Sequence, residues 1–262
     1  MRSVARLAWL ITSLWLAHAT PTYAASAFSD WSAVVIAGDW HAHSGGPSEA
    51  FDNARRDVAR AFEQAGFDPG NLRQFSVRPE RYKDTNPAKS EPQGIYNALA
   101  DLTAHATGGC LVYFSSHGAP QGVLVDQQLL PPGVLASMLD QTCGKRPTVV
   151  IISACFSGVF VPALASANRM VLTAARPDRS SFGCGEADKY PYFDQCVLES
   201  MPSAPDFATL GMTVQRCVAA REIKEGMKPP SEPQLFIGPA LKPLLPLYSL
   251  ASTAAPRPTG RN

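Results

Sequence analysis

The sequence lacks several patterns that mark common classes of enzyme. It contains no Cys-x-x-Cys pair, which argues against a thiol redox role or a zinc ribbon. It contains no Gly-x-Ser-x-Gly motif, so a serine hydrolase with a nucleophile elbow is disfavoured. Histidine is scarce, and none of the five histidines lies beyond His117. Few side chains are therefore candidates for a catalytic imidazole.

The sequence also lacks an excess of positive or negative charge. The formal net charge is +1, and it falls to −1 when Arg2 and Arg6 are removed with the segment described below. Such a balance gives no indication of nucleic acid or an anionic membrane as a partner. An apolar content of 45% with 17% charged residues is ordinary for a globular protein.

Residues 1–27 have the pattern of a secretory signal peptide. Arg2 and Arg6 form a positive start, 7–17 is apolar, and 20–27 offers small residues for cleavage. The possible cleavage positions follow three alanines: Ala24, Ala25 and Ala27. We therefore predict an exported protein, periplasmic or extracellular, with no stable membrane association after cleavage. An uncleaved membrane anchor is the alternative.

Cleavage would leave about 235 residues, which suits one domain with a large core. We predict that this domain covers residues 28–245. The segment 246–262 is rich in Pro, Ser, Thr and Ala, so we predict a disordered tail there.

A short apolar run ends on a cysteine in the second half of the chain. Residues 148–158 read TVVIISACFSG, and Pro147 stands just before them. A continuous apolar run bounded by a turn signal suits a strand buried on both faces of a parallel sheet. Cys155 then lies at the carboxyl end of that strand, where open α/β sheets bind their ligands. On this stretch alone, a buried core cysteine is the simpler interpretation.

A second strand of the same type ends on a histidine. Residues 109–118 read GCLVYFSSHG, and His117 precedes Cys155 by 38 residues. That interval is long enough for one hairpin, one helix and a right-handed crossover between neighbouring parallel strands. Neighbouring strand ends would bring the imidazole close to the thiol, whose proton it could take. The second strand therefore favours Cys155 as a nucleophile.

Strands and helices alternate along the rest of the chain. Apolar runs predict the strands, and apolar residues at helical spacing predict the helices between them. The other predicted strands cover 33–37, 72–77, 170–174 and 234–238, with a small hairpin at 122–125 and 128–130. The predicted helices cover 48–66, 90–106, 131–142, 159–165, 193–201 and 207–225. The alternation predicts an α/β fold with a parallel sheet flanked by helices.

The six cysteines allow at most two disulfides if the nucleophile stays free. An exported chain meets an oxidising compartment, so pairing is expected. Cys110 opens one predicted strand and Cys143 lies just before its neighbour, so these two could pair. Cys196 and Cys217 fall on consecutive predicted helices and form the second candidate pair, with Cys184 as a competitor.

The two strand ends, SSHG and SACFSG, resemble those of the caspase-type cysteine peptidases, and among them the legumain family of asparaginyl endopeptidases. Four further stretches fit that family in order along the chain. They are AVVIAGD at 33–39, SHGAPQGVLV at 116–125, MVLTAARPDRSSFGC at 170–184 and the Tyr-Phe-Asp segment at 192–194. The likeness spans about residues 31–198. It implies a caspase-like three-layer sandwich with a mostly parallel sheet.

The resemblance also implies the residues of an active site. Cys155 would be the nucleophile and His117 the general base, and the backbone N–H groups of Gly118 and Cys155 would form an oxyanion hole. Donors fixed in place stabilise the developing charge, and a glycine beside the base permits close approach. The implied reaction is peptide-bond cleavage through a thioester, with no metal and no other cofactor.

The substrate pocket is where the sequence departs from the family. The legumain pocket for asparagine uses an Arg-His pair before the first helix, and Ser48-Glu49 stands there. It also uses a glutamate two residues before the nucleophile, where this chain has a serine. A pocket without its charged partners should not keep the same preference, so asparagine specificity is not carried over. The remaining candidates for the pocket are Asp39, Ser153, Ser180, Ser181 and Asp194.

A His-x-His pair after the first strand leaves a metal site open as an alternative. His41 and His43 resemble the start of a metal-dependent amidohydrolase site, but carboxylates or Cys155 would have to replace the missing later histidines. We favour a loop position for both residues, near the rim of the cleft.

The sequence therefore predicts an exported cysteine endopeptidase that acts on a peptide or protein substrate. A transamidase or ligase that uses the same thioester is the alternative enzyme. A catalytically silent binding module with a caspase-like fold is the alternative from another class. The oligomeric state is not predicted.

Overall fold

The computed structural model describes residues 26–250, which contain ten strands and six α-helices. The strands are β1 Trp31–Ala37, β2 Leu72–Ser76, β3 Ala88–Lys89, β4 Gly109–Ser115, β5 Gly118–Ala119, β6 Gly122–Val125, β7 Gln128–Leu130, β8 Thr148–Ser153, β9 Arg169–Thr173 and β10 Gln234–Ile237. The helices are α1 Ala50–Gln64, α2 Pro92–Thr103, α3 Pro132–Thr142, α4 Phe160–Leu164, α5 Tyr192–Ser200 and α6 Phe207–Glu225.

Seven of the strands form one sheet with the order β10-β9-β8-β4-β1-β2-β3. All neighbours pair in parallel except β10, which runs antiparallel to β9. The strands β5, β6 and β7 form a separate small antiparallel sheet. The predicted α/β fold with a mostly parallel sheet is confirmed.

Helices cover both faces of the large sheet, which explains why its central strands are apolar without interruption. Every residue of β1, β4 and β8 is buried. Successive side chains on a strand point to opposite faces, so Val35 packs under α1, α5 and α6. Val34 and Ile36 pack on the other face, under α2, α3 and α4. The result is a three-layer sandwich.

The predicted strands and helices are all present, and their ends shift by no more than three residues. Among the strands and α-helices of residues 26–250, the sequence analysis missed only the two-residue strands β3 and β5. A strand of two residues has no alternation pattern to detect, because its assignment depends on the partner strand.

Both predicted disulfides are present. Cys110 is bonded to Cys143 and ties the start of β4 to the end of α3. Cys196 is bonded to Cys217 and joins α5 to α6. Cys184, the predicted competitor, is free.

The folded domain extends past its predicted end at residue 245. The ring of Tyr248 lies 4.9 Å from the ring of Trp31. Leu250 is buried, and its N–H donates to the Pro205 carbonyl at 3.0 Å. The disorder of residues 246–250 was predicted from their average composition. That average does not reveal Tyr248 and Leu250, the two side chains that anchor the segment. Residues 1–25 and 251–262, which contain most of the predicted signal peptide and the rest of the predicted tail, lie outside the described residues.

None of the helices within residues 26–250 is long and apolar enough to cross a membrane.

Candidate active site

Two adjacent strand ends bring His117 and Cys155 to the same edge of the large sheet. The parallel strands β4 and β8 pair with Ser115 opposite Ser153. Ser116 extends this pairing, because its N–H donates to the Ser153 carbonyl at 3.0 Å. His117 and Cys155 thus each stand two residues beyond a matched pair of strand residues.

Gly118 lets the histidine segment approach the cysteine segment closely. A Cβ atom at residue 118 would lie 2.2 Å from the carbonyl oxygen of Cys155 and 2.9 Å from the Cβ of Ala154. The first neighbour is backbone and the second belongs to a short buried side chain, so neither can move aside easily. Only glycine fits at this position.

The His117 ring is oriented by a backbone carbonyl. Its Nε2 lies 3.0 Å from the carbonyl oxygen of His41. A carbonyl oxygen can only accept a hydrogen bond, so Nε2 carries a proton and Nδ1 of the neutral ring is left as the acceptor. Phe51 packs edge-on against the ring, with centroids 5.0 Å apart and an interplanar angle of 77°. The tautomer and the ring plane are therefore both fixed by neighbours.

Asp39, predicted to line the pocket, instead holds the loop that carries this carbonyl. Its Oδ1 accepts hydrogen bonds from the N–H of Trp40 at 2.6 Å and the N–H of His41 at 3.2 Å. The same oxygen lies 2.7 Å from Nδ1 of His41. The other oxygen lies 3.9 Å from Nε2 of His117. Asp39 thus fixes the loop whose His41 carbonyl accepts the hydrogen bond from Nε2 of His117.

The Cys155 thiol has a hydrogen-bonding partner in either protonation state. Cys155 is free and partly exposed. The N–H of Ser181 donates to its Sγ at 3.3 Å, which stabilises a thiolate. The carbonyl of Ser181 lies 3.6 Å from the same sulfur and accepts from a thiol. The Ser181 hydroxyl oxygen also lies 3.6 Å from the Cys155 sulfur.

A sharp turn after Cys155 fixes the direction of the thiol. Phe156 has φ +57° and ψ 10°, a left-handed conformation that costs a non-glycine residue about 1–3 kcal/mol. Its N–H donates to the Arg179 carbonyl at 2.8 Å. This bond ties the turn to the segment that carries Ser181.

The backbone N–H groups of Gly118 and Cys155, which were predicted to form the oxyanion hole, lie at the two strand ends. Leu124 donates its N–H to the His117 carbonyl at 2.9 Å, and Gly118 lies opposite Val123 in the next pair of the same ladder. Hydrogen-bonded and non-bonded pairs alternate along antiparallel strands, so the N–H of Gly118 points away from β6. The N–H of Cys155 donates to no backbone oxygen within residues 26–250.

A cavity of about 370 Å³ opens beside Cys155. Its walls are formed by His43, Cys155, Ser180, Ser181, Phe182, Gly183, Cys184, Gly185 and Asp188. The predicted pocket residues Ser180 and Ser181 are among them, and His43 stands at the exposed rim as expected for a loop residue. A cleft of about 320 Å³ between α1 and α5 is similar in size but contains neither His117 nor Cys155.

Two loops joined by hydrogen bonds enclose this cavity. Ser44 donates its hydroxyl to a carboxylate oxygen of Glu186 at 2.6 Å. Ser48 donates its hydroxyl to the Gly185 carbonyl at 3.1 Å. The sequence analysis missed Cys184 and Asp188 as wall residues, because single residues in a loop carry no periodic or motif signal.

Ser153 and Asp194, which were predicted to line the pocket, are part of a buried polar cluster instead. Asp194 is fully buried and accepts hydrogen bonds from the hydroxyl groups of Tyr113 at 2.5 Å, Ser153 at 2.6 Å and Ser115 at 3.0 Å. Burial raises the pKa of Asp194 to about 6, and the hydroxyl donors oppose that rise only in part. Strand alternation explains the placement, because Ser153 points to the face that α5 covers.

The position of the family's Arg-His pair has a different electrostatic character. Glu49 accepts hydrogen bonds from Arg78 at 3.1 Å and from the Tyr82 hydroxyl at 2.5 Å. Arg81 lies 3.2 Å from the same carboxylate. The Arg78 guanidinium also lies 4.5 Å from the centre of the Trp40 ring. An acidic residue whose charge is compensated by the loop after β2 therefore stands where the family has basic groups.

Comparison with known proteins relates the chain to one family and one fold. Residues 102–217, a little under half of the chain, match the Peptidase C13 family. The chain is also similar to the crystal structure of caspase-1 from Spodoptera frugiperda, with a TM-score of 0.58 at 15% sequence identity. That alignment covers 87% of this chain and 94% of the caspase chain. No curated protein matches significantly.

These matches confirm the resemblance to the legumain family of cysteine peptidases and the caspase-like fold. The family match includes both strand ends, with His117 and Cys155. At 15% identity, the caspase match shows the fold alone.

Asp194→Asn should change the pH dependence of stability. The raised pKa means that the folded protein keeps a proton that the unfolded chain releases above about pH 4. The wild-type protein should therefore lose about 2–3 kcal/mol of unfolding free energy, relative to the variant, as the pH rises from below 4 through 6. Urea unfolding of both proteins between pH 4 and 8 measures this difference. The other carboxyl groups contribute equally to both proteins, so their contributions cancel. A difference that stays constant with pH would contradict the prediction.

Gly118→Ala should impair the site because its Cβ would meet the Cys155 backbone. We expect alkylation of Cys155 by iodoacetamide to slow by about tenfold or more, which corresponds to about 1.4 kcal/mol in the barrier. Gly133→Ala is the matched control, because its added Cβ would meet no atom within 4 Å beyond its chain neighbours and the backbone of its own helix. Circular dichroism reports whether each variant is folded. A folded Gly118→Ala protein that reacts like the wild type would disprove the close contact.

Proposed function

We propose that this chain, whose residues 102–217 belong to the Peptidase C13 (legumain) family, is an exported cysteine endopeptidase with Cys155 as nucleophile and His117 as general base. The observation that carries the proposal is the adjacency of the two strand ends, with Gly118 against the Cys155 backbone. A partly exposed, free Cys155 also favours an enzyme over a silent binding module.

The proposed reaction begins with a proton transfer. Nδ1 of His117 takes the thiol proton of Cys155, and the thiolate attacks the carbonyl carbon of the scissile peptide bond. The N–H groups of Gly118 and Cys155 hold the oxyanion that forms. Nδ1–H then gives its proton to the leaving amine, and a thioester remains on the sulfur. Water, activated by His117, hydrolyses the thioester and restores the free thiol.

Two neighbouring groups interact with the imidazolium that forms in this reaction. The carbonyl oxygen of His41, 3.0 Å from Nε2, accepts the hydrogen bond from Nε2–H before and after the transfer. The buried Asp39 carboxylate, 3.9 Å from the same nitrogen, compensates the positive charge. His117 can therefore gain and lose a proton at Nδ1 without changing its orientation.

Export is supported by the state of the cysteines. Four of the six cysteines form two disulfides, and such bonds form and persist in oxidising compartments outside the cytosol.

His117→Ala should establish whether the two residues act together. A positioned general base contributes about 10²–10⁴-fold, so kcat/KM for peptide hydrolysis should fall by that factor. Alkylation of Cys155 near neutral pH should slow as well, because fewer thiols are ionised. Mass spectrometry after iodoacetamide treatment measures the labelling at Cys155.

His105→Ala provides the matched control for this variant, because His105 is an exposed residue just past the end of α2. It should react like the wild type. Equal reactivity of Cys155 with and without His117 would rule out the proposed dyad.

The peptidase should show no preference for asparagine before the cleaved bond. Ser48-Glu49 replaces the family's basic pair, and Glu49 is occupied by Arg78 and Tyr82. Ser153 replaces the family's glutamate and is bonded to the buried Asp194. A peptide library that varies only the residue before the cleaved bond measures the preference, with a peptide of fixed favourable sequence as reference. Strong selection of asparagine would overturn this view of the pocket.

A further inference from the structure

We propose that Cys184 is the oxidation partner of Cys155, and that the two form a third, reversible disulfide when the protein meets a low-molecular-weight disulfide such as glutathione disulfide. Only the effect on activity rests on the proposed function. The formation of the bond itself depends on the two thiols alone.

Both free thiols of residues 26–250 lie in the wall of one cavity. Cys155 and Cys184 are free, and both line the cavity of about 370 Å³. One cavity wall thus contains both residues. The other four cysteines are already joined in two disulfides, so they offer no competing free thiol.

Electrostatics gives a second sign that the two sulfurs are close. The pKa of the Cys184 thiol is raised to about 11, first by its burial and then by the negative charge of a Cys155 thiolate and of Asp188. Cys184 therefore remains a thiol near neutral pH, while the Cys155 sulfur is partly exposed and accepts an N–H hydrogen bond from Ser181. The order of events follows, because the thiolate is the form that attacks disulfides.

The proposal requires the loop that carries Cys184 to reach the short distance that a disulfide needs, and two glycines give its backbone freedom. Gly183, at φ +86°, and Gly185 flank the residue on both sides. Glycine has more conformational freedom than any other residue. The only backbone hydrogen bond to the Cys184 carbonyl comes from the N–H of His43 at 3.3 Å, within the part of the chain that the structure describes. A disulfide requires Cα atoms about 4.4–6.8 Å apart, so a small movement of this loop is part of the proposal.

The reaction balances with one oxidant molecule. The Cys155 thiolate attacks one sulfur of the small disulfide, breaks its S–S bond and releases one small thiolate. The mixed disulfide on Cys155 is then attacked by the Cys184 sulfur, whose proton goes to the released thiolate or to water. The second small thiol leaves, and the bond between Cys155 and Cys184 remains. Two protein thiols have been oxidised, and one small disulfide has been reduced to two thiols.

The consequence for the proposed peptidase is reversible inactivation. A nucleophile held in a disulfide cannot attack a peptide bond, and it is also protected from irreversible oxidation to a sulfinic or sulfonic acid. A small thiol restores both cysteines by the reverse exchange.

Peptide mapping under non-reducing conditions tests the proposal directly. The wild type, Cys184→Ser and Cys155→Ser proteins are each incubated with glutathione disulfide, quenched in acid and digested. In the wild type we expect a peptide that joins residues 155 and 184, with the loss of two hydrogen atoms and no retained glutathione. Cys184→Ser should stop at a glutathione adduct on Cys155. Cys155→Ser should form the adduct at residue 184 at least about tenfold more slowly, because Cys184 is protonated near neutral pH.

The wild type must also recover on reduction. Dithiothreitol at low concentration should release the bond between residues 155 and 184, while the two structural disulfides remain intact on the same map. A wild-type protein that stops at the glutathione adduct, or that exchanges with Cys110, Cys143, Cys196 or Cys217 instead, would overturn the proposal.

The mapping result is independent of peptidase activity, which is measured separately. Each variant is compared with its own activity before oxidation. If the disulfide forms in a protein that cleaves no peptide, the oxidation proposal stands and the proposed function fails. If peptides are cleaved but no such disulfide forms, the proposed function stands and the oxidation proposal fails.

Discussion

The contact between Gly118 and the Cys155 backbone is the constraint on which the site depends. It requires two neighbouring parallel strands, β4 and β8, to end at the same level, with His117 on one and Cys155 on the other. It also leaves no room for a Cβ atom at residue 118. The remaining features refine this contact: a carbonyl selects the histidine tautomer, and a left-handed residue turns the chain after the cysteine.

The rest of the sheet keeps these strand ends in place. β4 and β8 are buried along their whole length and have parallel neighbours on both sides, so their register is set by apolar packing on two faces. The disulfide between Cys110 and Cys143 ties the start of β4 to the end of the helix that leads to β8. The relative position of the histidine and the cysteine is thus set by the buried centre of the large sheet.

The sequence predicts most of the fold and the strand-end pair, because both depend on long apolar runs and on which residue follows each run. It predicts the cavity only in part. Ser153 turns inward, since a one-residue change of position on a strand decides between pocket and core, and Asp194 on α5 accepts its hydrogen bond. Cys184 and Asp188 belong to a loop whose place is decided by long-range contacts with another loop. The anchoring of residues 246–250 likewise depends on two side chains that average composition does not reveal.

The two loops that enclose the cavity are joined to each other by side-chain hydrogen bonds from Ser44 and Ser48. Neither bond involves β4 or β8, which carry the strand-end pair. The strands that carry the strand-end pair and the loops that form most of the cavity wall are thus separate parts of the sequence. Substitutions in the loops can accumulate and alter what enters the cavity while the sheet, and the geometry it imposes, is inherited unchanged. A fold divided in this way allows relatives to diverge in what they recognise long before they diverge in how they react.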